Sequence, residues 1–237
     1  MKSLYLILLF SFSTTLLFSQ ALSYTDPASG YLKVMLEKGG DGTYQQIGNF
    51  KVIGTSYLYG EKIKGSAYAG KDKSENIELS YNTYTQQLDV YVSNSSKAFL
   101  KPANEIDSFI LFKSKSNTLK SDLLFYSSKL ISPSIKSSFL QVIYNGKRFS
   151  LYKAYNSTLD YVSTNYIQAE LRQFTLDYSY CYYDSLTKQF KKLKLNKNKI
   201  INEFKSIKDF SELLDDDGFN NNPEEILKML FTNLNNN

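Results

Sequence analysis

The stretch Phe139-Leu140-Gln141-Val142-Ile143-Tyr144-Asn145-Gly146-Lys147-Arg148-Phe149-Ser150-Leu151-Tyr152 decides the fold class. Two runs rich in β-branched and aromatic residues flank an Asn-Gly pair, which tolerates the positive φ angles of a type I′ turn. This turn predicts a β-hairpin in which Val142 faces Phe149 and Leu140 faces Leu151. One face of the hairpin is then apolar and the other more polar, as in one sheet of a β-sandwich or barrel.

Short runs of the same kind occur on both sides of this hairpin. Clusters of Gly, Asn, Ser and Lys separate them, and no crossover helix pattern lies between them, which favours antiparallel pairing. The predicted strands cover residues 62–69, 77–81, 88–92, 108–112, 123–126, 139–144, 147–154, 174–182 and 190–195. The sequence therefore predicts a mainly β fold, either an antiparallel β-sandwich or an open barrel.

Beyond residue 195 the apolar residues follow the period of a helix instead of a strand. Residues 199–206 form one helical pattern, and Asn222-Pro223-Glu224-Glu225 has the composition of a helix start. We predict a β-rich domain over residues 22–195 and a short C-terminal helical segment over residues 196–237 that packs on it. The asparagines of residues 235–237 are expected to fray.

The first residues have the layout of a secretory signal peptide. Lys2 supplies a positive charge, residues 4–18 are uncharged and mostly apolar, and Ser19-Gln20-Ala21 ends the run with small outer residues. The apolar run is too short to span a bilayer comfortably. We expect removal of residues 1–21, leaving a soluble protein in the periplasm or outside the cell. No cysteine ends the segment, so we do not expect a lipoprotein.

The composition excludes several kinds of chemistry. The 237 residues include no histidine and a single cysteine, Cys181, so histidine-dependent catalysis and an intramolecular disulfide are impossible. Transition-metal sites are disfavoured for the same reason. The formal net charge of +5 is mildly basic and not typical of a nucleic-acid-binding protein. We predict no metal, no cofactor, no catalytic residue and no nucleic-acid partner.

Two groups of side chains are candidate binding surfaces. In the strand of residues 174–182, alternate residues share one face, which is core in most proteins but can line a ligand groove. That group is Tyr178, Tyr180 and Tyr182. The densest basic run fits anionic headgroups or a solvated edge strand protected by lysines, and the second interpretation is favoured. Its members are Lys188, Lys191, Lys192, Lys194, Lys197 and Lys199, of which the first four form the candidate basic patch.

Acidic residues offer two weaker patterns. The carboxylates Glu75, Glu78, Asp89, Glu105 and Asp107 are scattered over the predicted strands. A glycosidase-like site would need two of them held about 5–10 Å apart in a cleft. Asp215-Asp216-Asp217-Gly218 followed by Glu224 has part of a calcium-loop spacing, but Leu213 would occupy the first ligand position. A solvated loop is the favoured interpretation there.

Three segments, taken in order, resemble a known group of proteins. They are Leu79-Ser80-Tyr81-Asn82-Thr83-Tyr84 with the strand that follows it, Tyr182-Tyr183 with Lys192-Leu193-Lys194-Leu195-Asn196-Lys197, and Glu224-Glu225-Ile226-Leu227-Lys228-Met229-Leu230. This order is similar to that of small exported proteins of unknown function common in Bacteroidetes-type bacteria. The resemblance implies export, a β-rich body and a helical tail, and it implies no activity. The chain departs from the group at residues 57–63, where an acidic, glycine-bearing strand is usual.

These observations predict a non-enzymatic exported protein that binds a partner protein or a component of the cell envelope. The first alternative is a lipocalin-like carrier of an apolar small ligand, and the second is a carboxylate-dependent secreted hydrolase. A large apolar cavity would favour the carrier, and two facing carboxylates in a cleft would favour the hydrolase. A filled core with an exposed aromatic patch would favour the binding protein.

Overall fold

The computed structural model describes residues 31–38, 44–91, 98–115, 117–132, 138–162, 171–214 and 216–236, with the backbone alone for residues 31–51, 216 and 217. The chain divides into two compact units. The first contains residues 1–53 and 163–172. In it, β1 (Tyr31–Lys38) and β2 (Tyr44–Ile53) pair as an antiparallel hairpin with a bulge between Met35 and Leu36. The sequence pattern predicted neither strand.

The second unit, residues 54–162 and 173–237, is built on one large open sheet. Its strands are β3 (Ile63–Ala69), β4 (Asp72–Asn82), β5 (Gln87–Tyr91), β6 (Ala98–Pro102), β7 (Ser108–Leu111), β8 (Leu123–Ser127), β9 (Phe139–Tyr144), β10 (Phe149–Tyr161), β11 (Leu171–Asp184) and β12 (Gln189–Leu193). They lie in the order β12-β11-β10-β9-β8-β7-β3-β4-β5-β6. The predicted mainly β fold with an open sheet and a short C-terminal helix is confirmed.

Among its described residues, this unit has four short helices: α1 (Ser128–Ile131), α2 (Lys197–Phe204), α3 (Asp216–Asn221) and α4 (Pro223–Asn235). The sequence predicted α2 and α4 but neither α1 nor α3. Helix α2 begins where the Asn196 side chain accepts a hydrogen bond from the Lys199 amide at 3.1 Å, a regular N-cap. Helix α4 has Pro223 in its first turn, followed by the acidic pair Glu224 and Glu225.

The first of two hydrophobic clusters, called here the sheet cluster, fills the hollow of the curved sheet. Its centre is a group of rings from β4, β7, β8 and β9, namely Tyr81, Phe109, Phe125 and Phe139. The rings of Phe109 and Phe125 stack with their centroids 4.6 Å apart, and Tyr81 meets both edge-on. Contacts of this kind add about 0.5–1.5 kcal/mol per pair to the area term. The interior at this end of the sheet is therefore occupied by aromatic side chains.

The second cluster, the helix cluster, lies between the sheet and the C-terminal helices. The sheet contributes Phe149 and Leu151 of β10 and Tyr182 of β11. The helices contribute Phe204 of α2 and a stripe on α4 made of Leu227, Leu230, Phe231 and Leu234. The Phe204 ring meets Phe149 and Phe231 edge-on, with centroids 5.9 and 5.7 Å away. The tail is thus packed on the sheet by an apolar stripe of helical period.

The sheet is curled so strongly that the end of β4 reaches β10. The Thr83 hydroxyl donates to the Ser56 carbonyl at 2.8 Å and lies 2.6 Å from the Ser157 hydroxyl. The Ser157 amide donates to the Thr83 carbonyl at 3.2 Å. Gln86 adds hydrogen bonds from its side-chain amide to the carbonyls of Thr83 and Tyr155. The Tyr-Asn-Thr-Tyr motif of residues 81–84 therefore connects the end of β4 to β10, which is not its neighbour in the sheet. We call the hydrogen bonds of Thr83 with Ser56 and Ser157 the latch.

The hairpin that decides the fold class is present, but its predicted turn and register are wrong. Residues 145–148 connect β9 to β10, and Gly146 does not have a positive φ angle. The observed pairs are Leu151 with Tyr144 and Tyr152 with Val142, with a bulge between Leu151 and Tyr152. The physical reason lies in α4, because Asn235 inserts into this loop.

Asn235 makes four hydrogen bonds at the end of α4. Its carbonyl oxygen accepts from the amides of Arg148 and Phe149 at 2.9 and 3.1 Å. Its amide nitrogen donates to the carbonyls of Phe149 and Phe231 at 3.0 and 2.7 Å. A Cβ atom on Gly146 would overlap the Asn235 side chain, which explains why glycine is required there. The predicted fraying is therefore wrong for Asn235, which holds the hairpin loop.

Candidate functional site

Three tyrosines line a groove on the face of the sheet opposite the two clusters; we call it the tyrosine groove. Tyr126 of β8 follows Phe125 of the sheet cluster, and Tyr183 of β11 follows Tyr182 of the helix cluster. Since successive side chains of a strand point to opposite faces, both tyrosines point away from the clusters. Tyr152 of β10 lies between them. The groove has a volume of about 310 Å³.

Polar groups from two loops complete the wall of this groove. Asn145, Gly146 and Ser150 come from the β9–β10 hairpin, and Ser185 follows β11. The Ser150 hydroxyl donates to the Asn145 side-chain carbonyl at 3.0 Å, and the Gly146 amide donates to Ser150 at 3.3 Å. These bonds fix the loop that borders the tyrosines. Leu130 and Ile131 of α1 form an apolar rim.

The groove is electrically neutral at physiological pH. None of the residues that line it is an acid or a base other than tyrosine. Burial raises the pKa of Tyr152, a hydrogen bond with Ser150 lowers it, and the nearby hydroxyls of Tyr126 and Tyr183 raise it further. Tyr152 therefore stays protonated. The groove can pack a ligand against rings and exchange hydrogen bonds with it, but it presents no ionised group for proton transfer.

The structure separates the three tyrosines that the sequence singled out. Tyr180 and Tyr182 are 2% and 4% exposed and lie under the C-terminal helices, whereas Tyr178 is 47% exposed. Tyr180 and Tyr182 are core side chains, so they cannot contribute to an exposed ligand surface. The groove takes only Tyr183 from β11, and this residue points to the opposite face from Tyr180 and Tyr182. Its other two tyrosines, Tyr126 and Tyr152, come from β8 and β10.

A half-buried polar cluster next to Tyr178 connects α4 to the sheet. The Lys153 ammonium lies 2.9 Å from Glu224 and 4.4 Å from the centroid of the Tyr178 ring. The Tyr180 hydroxyl donates to the same Glu224 oxygen at 2.9 Å. Burial alone would raise the pKa of Glu224, but hydrogen bonds from Lys153 and Tyr180 outweigh it and lower the pKa. In the sequence, Lys153 stands at an inward-facing strand position between Leu151 and Tyr155. A charged residue at such a position indicates an acidic partner, which is Glu224.

Asp89 is the one predicted carboxylate that is buried, at 4% exposure. It accepts a hydrogen bond of 2.6 Å from the Tyr57 hydroxyl. Burial raises the pKa of Asp89, the bond from Tyr57 lowers it, and the charge of Glu61 raises it. Glu61 is exposed and is near enough to Asp89 to affect its pKa, while one Asp89 oxygen is bonded to Tyr57.

Three other predicted carboxylates each form an ion pair with a lysine. These pairs are Glu75 with Lys73, Glu105 with Lys101, and Asp107 with Lys129, at 2.6 to 2.9 Å. Such pairs on the surface contribute about 0–1 kcal/mol each. Glu78 is exposed on β4. None of these four is therefore a member of a facing carboxylate pair in the part of the chain that the structure describes.

The basic run lies on and around β12, which pairs with β11 at the edge of the described sheet. Lys188, Lys191, Lys192 and Lys194 are all exposed. Lys191 forms a 3.1 Å ion pair with Glu203 of α2, and Lys192 and Lys194 line a groove of about 350 Å³ that also includes Glu203. An acid in this groove reduces its attraction for anions, so the lysines fit the protection of an edge strand.

Within the described residues, no group of three or more Asp, Glu or Cys side chains is placed to hold a metal ion. The same residues contain no helix long and apolar enough to cross a membrane. Two sequence predictions fall outside the described residues, namely the signal peptide of residues 1–21 and Asp215 of the acidic loop.

Comparison with protein-family models, curated proteins and solved structures finds no match to this chain. The resemblance to exported proteins of Bacteroidetes-type bacteria therefore stays a prediction.

Proposed function

We propose that this chain is an exported, non-catalytic binding protein that holds a component of the cell envelope in its tyrosine groove. The observation that carries the proposal is the groove itself, which combines the half-buried rings of Tyr126 and Tyr183, the buried ring of Tyr152 between them and several uncharged polar groups. Leu130 on the rim of the groove is 56% exposed and extends the area that a ligand would cover. Grooves that combine aromatic walls with a few convergent polar groups are typical of binding sites.

The filled interior argues for a surface site over a carrier. In the sheet cluster, Phe109, Phe125 and Phe139 are fully buried against Tyr81, which occupies the place where a lipocalin-like ligand would lie. A carrier of an apolar molecule needs a cavity of several hundred Å³ inside the sheet. The aromatic side chains favour a binding role on the outside of the fold.

The neutrality of the groove argues against a hydrolase. General acid–base catalysis needs titrating groups within hydrogen-bond reach of the reacting atoms. Asp89, with its raised pKa, belongs to a different part of the sheet and is bonded to Tyr57. The groove offers shape and hydrogen bonds without such a group.

Export is tested by expressing the full chain in a bacterial host and sequencing the N-terminus of the recovered protein. Cleavage should leave a first residue near Ala21 or Leu22, in the periplasm or the medium. Intact Met1 on protein recovered from the cytosol would contradict export.

Binding is tested by co-sedimentation of the secreted protein with washed bacterial cell envelopes. Tyr126→Ala and Tyr183→Ala should each reduce the bound fraction, because each removes a wall of the groove. Tyr161→Ala is the matched control, since Tyr161 is 67% exposed and lies away from the groove on β10. Equal sedimentation of all variants, or none by the wild type, would contradict the proposal.

A further inference from the structure

We propose that the ligand of the tyrosine groove is a neutral saccharide. This inference rests on the proposed function and names the chemical class of the component that is bound.

The half-buried rings of Tyr126 and Tyr183 provide the apolar half of the recognition, and the buried ring of Tyr152 packs between them. A pyranose ring has faces of C–H groups that pack against an aromatic ring and a rim of hydroxyls that point sideways. Tyr126, Tyr152 and Tyr183 come from three strands of one sheet face, so they line the groove at positions set by the rigid sheet. Their hydroxyls also lie near one another, because those of Tyr126 and Tyr183 both act on the pKa of Tyr152. Tyrosine is suited to a ligand that is apolar on its face and polar at its edge.

The polar half of the groove matches hydroxyl groups better than charges. Asn145, Ser150 and Ser185 carry amide and hydroxyl groups that both donate and accept hydrogen bonds, as sugar hydroxyls do. A phosphate or carboxylate ligand would require arginine, lysine or several aligned amide donors. The nearby lysines of β12 do not line this groove.

The groove wall is held in place before a ligand arrives. The loop of residues 145–148 is tied to α4 through the bonds of Asn235 to the Arg148 and Phe149 amides. The Ser185 hydroxyl donates to the Lys147 carbonyl at 2.9 Å, and the Ser185 amide donates to the Arg148 carbonyl at 2.8 Å. Pre-organisation of this kind reduces the entropy lost on binding a small polar ligand.

An acyl chain fits the groove less well. It would cover the exposed Asn145 and Ser185 side chains without offering them a hydrogen bond, which is unfavourable. The apolar residues Leu130 and Ile131 lie together on α1, and the volume of about 310 Å³ suits a short segment of a glycan chain.

The test is titration of the secreted full chain with cellohexaose, maltohexaose and chitohexaose, followed by calorimetry and by tyrosine fluorescence, which is not masked because the chain has no tryptophan. At least one neutral hexaose should bind. Tyr183→Ala and Tyr126→Ala should weaken its Kd at least about tenfold, as for central aromatic contacts. Tyr183→Phe keeps the ring and should weaken binding less, while Tyr161→Ala should leave the Kd unchanged. Circular dichroism melts establish that each variant is folded.

Hexagalacturonate serves as the charged counterpart and should bind more weakly than the neutral hexaose. Failure of all three neutral hexaoses to bind, stronger binding of hexagalacturonate, or a Kd that Tyr126→Ala and Tyr183→Ala leave unchanged would overturn the inference. If envelope binding still depends on Tyr183 in that case, the proposed function stands and its ligand is of another class. If envelope binding is absent as well, both proposals fail.

Discussion

At the scale of single residues, Asp89 shows how a carboxylate is kept in a sheet with a hydroxyl donor and, among the described residues, without an ion pair. Its side chain is buried and its hydrogen bond comes from the Tyr57 hydroxyl. Burial raises the pKa of Asp89, so the folded state binds its proton more tightly than the unfolded state. A raised pKa means that stability from this group is lost as the pH rises through the folded pKa.

Asp89→Asn should therefore stabilise the protein at pH 7. Asparagine can still accept the Tyr57 bond, and it carries no charge to bury. We expect an increase of about 1 kcal/mol, or ~2–4 °C in Tm for a chain of this size. At about pH 3 the two proteins should melt together, because Asp89 is then protonated in both states. The measurement is thermal unfolding by circular dichroism, with exposed Asp72→Asn as control. A lower Tm for Asp89→Asn at pH 7 would contradict this account.

Glu224 has the opposite dependence on pH. Hydrogen bonds from Lys153 and Tyr180 lower its pKa below the unfolded value in spite of burial. Its contribution is therefore present above the unfolded pKa and is lost as the pH falls through the folded pKa. Glu224→Gln should cost about 1–3 kcal/mol at pH 7, because Lys153 keeps its charge without a counter-ion.

The cost of Glu224→Gln should shrink as the pH falls below the unfolded glutamate value of about 4.3, and it should disappear below the lowered folded pKa of Glu224, where the carboxyl group is protonated in both states. Urea unfolding at a series of pH values measures this difference directly. Glu225→Gln is the matched control one position along the helix, since Glu225 is exposed. If both variants lost the same stability, the ion pair with Lys153 would not be what seats α4.

At the scale of elements, the β9–β10 hairpin depends on a helix that follows it by more than eighty residues. Asn235→Ala removes the acceptor of the Arg148 and Phe149 amides and leaves both partly buried. We expect a loss of about 2–3 kcal/mol, since unpaired buried donors cost about 1–3 kcal/mol each and water reaches part of this loop. Hydrogen exchange should show faster exchange of these two amides, with Asn236→Ala unchanged. Unaltered exchange in Asn235→Ala would show that the loop holds itself.

The same hairpin shows what could be predicted from local sequence. The bounds of β9 follow from its apolar run, and they agree with the structure. The predicted register of the hairpin does not agree with the structure. Asn145-Gly146 taken alone predicts a two-residue turn, but Asn235 of α4 binds the loop of residues 145–148. Strand β6 was missed for a different reason. Its Phe99 and Leu100 are both exposed, so the run shows no alternation of buried and exposed residues, and Pro102 ends it.

At the scale of the whole molecule, the curl of the sheet depends on the latch at Thr83. Thr83→Val should destabilise the protein by about 1–3 kcal/mol, because the Ser56 carbonyl and the Ser157 hydroxyl lose a buried partner. Thr85 is the control: within the described part of the chain, its buried hydroxyl has no hydrogen-bond partner. Thr85→Val should be neutral or stabilising by up to about 1 kcal/mol. Denaturant unfolding of both variants decides the matter, and a costly Thr85→Val with a harmless Thr83→Val would refute the latch.

The candidate site could not be found from periodicity. A strand pattern reports which residues of one segment share a face, and it brought together Tyr178, Tyr180 and Tyr182. The tyrosine groove takes one residue from each of three strands, so it depends on strand order and on the bulge at Leu151 and Tyr152. Composition bears on the site without any knowledge of strand order, because a chain without histidine cannot use imidazole chemistry at any site.

The loop of residues 145–148 contributes both to the tyrosine groove and to the contact between α4 and the sheet. Gly146 borders the tyrosine groove, and the same glycine leaves the space that Asn235 fills from the end of α4. Under the proposed function, we expect occupancy of the groove and docking of the helix to be linked equilibria, and linkage is reciprocal. A saccharide that binds only the loop conformation held by Asn235 would stabilise the docking of α4. A partner that undocked α4 would in turn weaken the binding of the saccharide.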